Sequence, residues 1–414
     1  MKQAVAFANN DVSLVAWRYD KKIKNCLGFA IFRIDAKTGE KTALPSWVGF
    51  RGRTNPKWEP KDTTVWPVQK FSWNDFTAQR GGSYLYEIVP MTGEPDNLEK
   101  DDNNRLTTDQ VDLVPGREHI RAYFNRGILS TQSLAHKVPT NPDGTPNYKV
   151  LRDRIDQPGD PLRNSLAGQI IEGVTSLLDR AKKEGGECYC ALYEFNDPEL
   201  LQVLLISPFV HVLLSNAGTK DGTNIGARQS LHDAQIDISD RMLKSGHIGH
   251  NKFMVYVDTT GTPRAVLSGS TNWTFTGLCT QSNNAIVIES DEIARIYMDY
   301  WNALKSEGNA QGADFRAANN KEIPSVTVDN STVDVWFSPN TKYVSKRPEA
   351  PSDLAEVAEE IKKAEKAVLF LAFIPGRPSI IDYVAQAQND KPGLFVRGAA
   401  TDPEAVKDYN VLLY

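Results

Sequence analysis

The sequence predicts a multidomain chain. An all-β sandwich of immunoglobulin or fibronectin type stands ahead of an α/β body that begins a second time. Three observations predict it. Residues 1–126 carry short runs rich in β-branched and aromatic residues, separated by turn signals such as Thr38-Gly39, Gly81-Gly82 and Thr92-Gly93. From residue 164 helical and strand patterns alternate, as in a mixed sheet flanked by helices. The helix–strand–helix order of LLDRAKKEGGECYCALYEFNDPELLQVL then returns roughly 180 residues later in LAEVAEEIKKAEKAVLFLAFIPGRPSIIDYVAQAQ.

Composition agrees with that size and narrows the function. The 414 residues imply several domains at roughly 100–200 residues each. With 40% apolar and 24% charged residues, the chain resembles neither a disordered protein nor a coiled coil. Its 47 basic and 52 acidic side chains leave a net charge of −5, so no global positive field holds a polyanion. Cys26, Cys188, Cys190 and Cys279 are too few for a disulfide framework and hold only one Cys-x-Cys, which is no zinc pattern. Reduced, mostly buried cysteines suit a cytoplasmic protein. The first apolar stretch is broken by Asn9, Asn10 and Asp11, unlike a secretory signal. Nowhere do 18 apolar residues run together, so a transmembrane segment is not expected and any lipid would be met from the water side.

Taken in order, VSLVAW, LGFAIFRI, SYLYEIV and HIRAYF read as strands of the first module, 1–126. Trp17, Trp47, Trp58, Trp66 and Trp73 are expected to fill its core. Residues 127–163, with Pro139, Pro142, Pro146, Pro158 and Pro161, read as an extended linker. Residues 164–308 form the first α/β repeat. SLAGQIIEGVTSLLDRAKKEG has apolar residues at helical spacing, and ECYCALYEF follows as a buried strand. Asp197-Pro198 caps a short helix. FVHVLLS, KFMVYV, RAVLSGS and NNAIVIE are further strands, and ESDEIARIYMDYWNALKSEG is a closing amphipathic helix. Residues 309–331 read as a second linker, and 332–414 as a partial second repeat in which LFVRGAA takes the place of HVLLSNA.

The residues with chemistry to offer follow Gly249. His250 and Lys252 stand two apart on a predicted strand and so point to one face. Ser270 and Asn272 stand two apart just past the next strand, after Gly269. If those strands are neighbours, an imidazole, an ammonium, a hydroxyl and a carboxamide converge. That group suits a phosphodiester. The ammonium meets non-bridging oxygens, the amide and hydroxyl donate to charge that grows on phosphorus, and the imidazole attacks or carries a proton. No Asp, Cys and His cluster at ligand spacing surrounds them, so this reading needs no metal and no other cofactor.

His-x-Lys followed by Asp258, then Gly-Ser-x-Asn at 269–272, resembles the phospholipase D superfamily. Asn272-Trp273-Thr274 and Gln281-Ser282-Asn283-Asn284 continue the resemblance, which covers 165–305 and the opening of a second repeat at 332–414. It implies a phospholipase D-like fold for both repeats and a two-step phosphodiesterase acting through a phosphohistidine. By that resemblance His250 is the nucleophile, Lys252, Asn272 and Gly269 meet the substrate, and Ser270 and Asp258 complete the catalytic set. Five residues separate Lys252 from Asp258 where the family usually has four, so a bulge would have to restore the direction of Asp258. Asn283 stands where some members carry a supporting Glu. The second motif is expected roughly 20 residues beyond Tyr414. The second catalytic half would then come from a missing C-terminal part or from a homodimer mate. A phospholipid is the favoured substrate, nucleic acid the alternative, and a degenerate phosphate-binding scaffold the non-enzymatic one. His247 reads as a loop residue, His211 as a core histidine, His232 as a residue on a surface helix, and Cys279 as structural.

Overall fold

Alternation of apolar and polar side chains organises the first part of the chain. Its strands are β1 (Gln3–Ala8), β2 (Ser13–Arg18), β3 (Gly28–Asp35), β4 (Lys41–Ala43), β5 (Pro45–Ser46), β6 (Lys61–Asp62), β7 (Ser72–Asp75), β8 (Ser83–Glu94), β9 (Asn97–Lys100), β10 (Leu106–Thr107) and β11 (Val111–Asp112). In β2 the buried Val15 and Trp17 alternate with the exposed Leu14 and Arg18, as expected of a strand with one face on a core. One sheet has the order β1-β2-β7; the other is built on the antiparallel pair β3–β8, with β4, β9, β10 and β11 added to it. Val15, Trp17, Phe29, Ile31, Tyr86 and Ile88 from both sheets share one core, each stabilising it by roughly 1.5–3 kcal/mol.

The computed structural model describes residues 3–127, 137–218, 221–244, 246–342, 350–375 and 379–401. Two compact units make up the chain, 1–308 and 309–414.

Two expectations for the N-terminal module change. Its strands run from two to twelve residues. Of the five tryptophans only Trp17 is fully buried. Trp47 and Trp58 lie between β5 and β6 and stack on each other with centroids 6.5 Å apart, so they cover that excursion instead of the core. HIRAYF does not belong to the module. It forms β13 (Ile120–Phe124), which with β12 (Gly116–Arg117) extends the large sheet of the α/β body.

That body begins inside the expected linker. α1 (Tyr148–Ile155) and α2 (Pro161–Ala167) form there because the prolines fall outside a helix or in its first turn, where a missing N–H costs little. Asn147 and Asp160 cap the two helices by accepting from Val150 N at 3.1 Å and Leu162 N at 2.6 Å. α3 (Ile170–Glu184) buries Ile170, Val174, Leu177, Leu178 and Ala181 at helical spacing and ends at Gly185, whose φ of 81° is a left-handed cap. Then follow β14 (Glu187–Leu192), α4 (Pro198–Leu205), β15 (Val210–Ser215), α5 (Ile225–Asp233), β16 (Asp237–Arg241), β17 (Lys252–Val257), β18 (Pro263–Gly269), α6 (Phe275–Cys279), β19 (Asn284–Glu289) and α7 (Asp291–Glu307).

These strands make a mixed sheet of order β12-β13-β19-β18-β17-β14-β15-β16. β14, β15 and β16 are parallel, and every other neighbouring pair is antiparallel. All six residues of β17 are buried, since both faces of the sheet are covered. Met254 and Tyr256 join the α3 side chains in one core, while Phe253 meets Tyr297 and Tyr300 of α7 on the other face.

In the second unit α8 (Ala313–Asn319) and the hairpin of β20 (Val326–Val328) with β21 (Ser331–Val333) occupy most of the expected second linker. α9 (Ser352–Lys363), β22 (Ala367–Ala372), α10 (Ile380–Asp390) and β23 (Phe395–Ala400) repeat the order helix, strand, helix, strand. β22 pairs with β23 in parallel, as β14 does with β15. The C-terminal segment after residue 401 lies outside the described residues. Among the described residues no helix is long and apolar enough to cross a membrane.

Candidate active site

Register brings the motif residues to one edge of the sheet. Leu192 at the end of β14 pairs with Lys252 at the start of β17, Phe253 with Ser268, and Gly269 at the end of β18 with Ala285 of β19. The edge is the carboxyl end of the parallel strands β14–β16, where open α/β sheets form their ligand crevice. Two glycines are required by close approach. A Cβ on Gly249 would lie 2.4 Å from Ser215 Oγ and 2.8 Å from Arg241 Nη1. Gly269 has a φ of +155°, and a Cβ there would meet the Asn284 carbonyl oxygen at 2.4 Å.

β17 starts at Lys252, so His250 lies in the lead-in and not on the strand as expected. Strand alternation therefore does not bring the two together. His250 is exposed and Lys252 is buried, 8% accessible. They meet because Lys252 Nζ turns back and donates to the His250 carbonyl oxygen at 3.0 Å. The dipeptide just after β14 completes the contact. The Tyr193 ring lies edge-on to the His250 ring at 4.7 Å, and Lys252 Nζ stands 5.4 Å from the Tyr193 centroid. Asn272, buried to 9% accessibility, donates from Nδ2 to Glu194 Oε2 at 2.6 Å. Asn272 Oδ1 is buried and has no hydrogen-bond partner among the described residues.

The electrostatics follow from this packing. Desolvation of the ring by its neighbours, then the Lys252 ammonium, hold the His250 imidazole down at about 4. The ring is thus neutral at neutral pH even though the residue as a whole is open to solvent. Burial pulls the Lys252 ammonium down to about 8, against the opposing pull of Glu194. Burial raises the Glu194 carboxyl, against the lowering effect of Lys252.

Ser270 and Asp258 stand apart from this group. Ser270 Oγ donates to Asn283 Oδ1 at 2.9 Å and accepts from Asn284 N at 3.1 Å. Its hydroxyl thus braces the start of β19. Asp258 follows the far end of β17, where it accepts from Thr260 N at 2.9 Å, Thr262 N at 3.0 Å and Arg264 Nε at 2.7 Å. The bulge that would have redirected it lies on the partner strand. Tyr256 pairs with Ala265 and Val257 with Pro263, which leaves Arg264 as the extra residue. Asp258 is therefore a turn residue, held strongly ionised by the Thr260 hydroxyl, which donates to Oδ1 at 2.7 Å, together with the Thr262 and Arg264 hydrogen bonds.

The remaining histidines and cysteines lie elsewhere. His247 is exposed in the loop before the motif. His211 is half-buried at the sheet edge instead of in the core, stacked on Tyr189 and bonded to Asp237 Oδ2 at 2.6 Å. His232 bonds Asp240 from α5. Burial pushes the Cys279 thiol up to about 12 and raises Cys188 and Cys190 as well.

Glu194 is the site residue that sequence reasoning missed. Its signal was a carboxylate inside the apolar run ECYCALYEF, where a charge needs a partner. Glu194 also lines an open cleft of about 690 Å³, together with Arg152, Leu151, Asn196, Thr274 and Phe275.

No protein-family model matches the chain, and no curated protein matches it. Solved structures do. One is Nuc from Salmonella typhimurium, a phospholipase D family member, at 21% identity over 34% of this chain and 93% of that one, with a TM-score of 0.28. NucT from Helicobacter pylori matches at 15% identity over 34% and 93%, with a TM-score of 0.27. Phosphatidylserine synthase from Haemophilus influenzae matches at 13% identity over 57% and 60%, with a TM-score of 0.37. The chain thus resembles the phospholipase D superfamily in its motif residues, and a phospholipase D family member stands among the structures it resembles.

Proposed function

We propose that this chain is a phosphodiesterase of the phospholipase D superfamily that works through a phosphohistidine on His250 and without a metal. One observation carries the reading. A neutral imidazole, a buried ammonium and a buried carboxamide gather around Tyr193–Glu194 at the ligand-binding edge of the sheet. His250 attacks phosphorus, Lys252 leaves its backbone acceptor for a non-bridging oxygen, and Asn272 donates to a second. Ser270 supports the site through Asn283 and is a positioning residue. The backbone at Gly269 lets Ser270–Asn272 approach β19 closely enough to set Asn272.

The substrate class in this reading is a phospholipid. The net charge of −5 favours a phosphodiester presented singly or on a surface over a long polyanion. The test is hydrolysis of bis-p-nitrophenyl phosphate by the wild type and by His250→Ala, with and without EDTA. Turnover that the substitution abolishes and the chelator leaves intact supports the reading; full activity in His250→Ala rejects it. Phosphatidylcholine vesicles and single- and double-stranded DNA, assayed side by side, identify the substrate class. Cleavage of DNA with a steep salt dependence and no action on vesicles would replace the lipid reading with the nuclease one.

A further inference from the structure

β15 and β16 end side by side at the carboxyl edge of the sheet, and their last residues, Ser215 and Arg241, are register partners. Both are buried, at 3% and 5% accessibility. Neither side chain is satisfied. Ser215 Oγ and the Nε and Nη2 atoms of Arg241 are buried and have no hydrogen-bond partner among the described residues. The fully buried Arg163 gives the contrast, since its guanidinium is bonded to Asp197 and Glu199. A buried cation without such a partner is costly to keep. Burial bears most strongly on the Arg241 guanidinium, and Tyr300 and Glu307 of α7 oppose that effect through space.

The geometry of the unmet donors names the missing partner. Nε–H and Nη2–H lie on one edge of a guanidinium and point the same way, so together they take two oxygens of one anion. Arg154 uses the same two atoms on the Asp160 carboxylate, at 3.1 and 3.0 Å. The Ser215 hydroxyl adds a third donor close by. Ser215 Oγ and Arg241 Nη1 both close on one point beside Gly249, where a Cβ would lie 2.4 Å from the first and 2.8 Å from the second. A planar carboxylate offers the edge two oxygens and has none left for the hydroxyl. A tetrahedral oxyanion has a third.

We propose that Arg241 and Ser215 form a phosphate-binding site behind Gly249, separate from Lys252 and Asn272. The guanidinium edge takes two phosphate oxygens, and the Ser215 hydroxyl donates to a third. The guanidinium keeps its charge at every working pH, so the site holds the anion across the whole range. Its donors are shut off from water, and the phosphate enters as the backbone at Gly249 shifts aside. Gly249 precedes His250, so an occupied site fixes the lead-in that carries the imidazole.

The test is made in Lys252→Ala, which lacks the cation of the other site. Its thermal melt in about 20 mM inorganic phosphate should lie about 2 °C or more above the melt in chloride of equal ionic strength. Lys252→Ala combined with Arg241→Met should show no rise. Equal rises in the two proteins, or no rise in either, overturn the proposal. If the Arg241→Met protein does not fold, Lys252→Ala combined with Ser215→Ala gives the answer. There the rise should shrink to about half or less, one donor of three being lost, and an unchanged rise overturns the proposal. Phenyl phosphate in place of inorganic phosphate identifies the source of the group. A rise with both supports a phosphate carried on a larger molecule; a rise with inorganic phosphate alone supports the free ion. No turnover is measured, so failure of the phosphodiesterase reading leaves this test standing, and failure here leaves that reading standing.

Discussion

Lys252 Nζ donates to the His250 carbonyl oxygen at 3.0 Å, so the buried cation of the site rests on the backbone of the residue proposed to attack. The contact explains how a strand residue and a loop residue act together. It also gives the ammonium an acceptor to exchange for a phosphate oxygen.

With Lys252 held at about 8, the rate on any diester should fall as pH rises through that value, because the ammonium is lost. Lys252→Arg removes that limb, since a guanidinium stays charged, but fits poorly where a point charge is used. Its kcat/KM should drop at neutral pH, and Lys252→Ala should lose about 10²-fold or more. Pseudo-first-order rates from pH 6 to 10 check both.

His250 makes the opposite statement about stability. Its folded value of about 4 lies below the ordinary 6.5, so the unfolded chain binds a proton in that window that the folded chain does not. Stability should therefore be intact above 6.5 and fall as pH drops from 6.5 to about 4. Thermal melts of wild type and His250→Ala across that range should show a shallower slope in the variant.

Gly269→Ala places a methyl group 2.4 Å from the Asn284 carbonyl oxygen, so β18 and β19 must part just where Asn272 is set. The cost should be roughly 1–3 kcal/mol of stability, with a loss of turnover larger than the stability loss explains. Urea titration and steady-state kinetics on the same preparation measure the two.

Asp258→Asn separates motif from mechanism. Asp258 serves the turn to β18 through Thr260, Thr262 and Arg264, away from His250. The variant should melt at a lower temperature yet keep kcat/KM within about threefold, the scatter of substitutions away from a site.

Arg163 anchors the segment that carries Glu194. Its fully buried guanidinium bonds Asp197 Oδ1 at 3.0 Å, and Asp197 N donates to the Trp273 carbonyl oxygen at 3.1 Å. Arg163→Ala leaves Asp197 buried and uncompensated and should cost roughly 3–5 kcal/mol in urea titration.

Particular residues show what the sequence made legible. KFMVYV and RAVLSGS announce neighbouring strands, and the polar residues beside them mark the site, because apolar runs end where the sheet meets solvent. HIRAYF announces a strand but not its sheet, since local pattern carries no information on a partner 160 residues away. β16 is polar because it is an edge strand, and its sequence DISDR gives no strand signal. Glu194 stayed hidden because its partners, Lys252 at the start of β17 and Asn272 in the loop past β18, are distant in sequence. The direction of Asp258 depended on which strand carried the bulge, and that is settled by pairing alone.

The phosphohistidine itself is the most direct measurement. Wild type mixed with a radiolabelled phosphodiester and quenched in alkali should yield an acid-labile adduct on the peptide containing His250, absent from His250→Ala. Turnover by the wild type with no label on that peptide, or label retained in the alanine variant, would contradict the account.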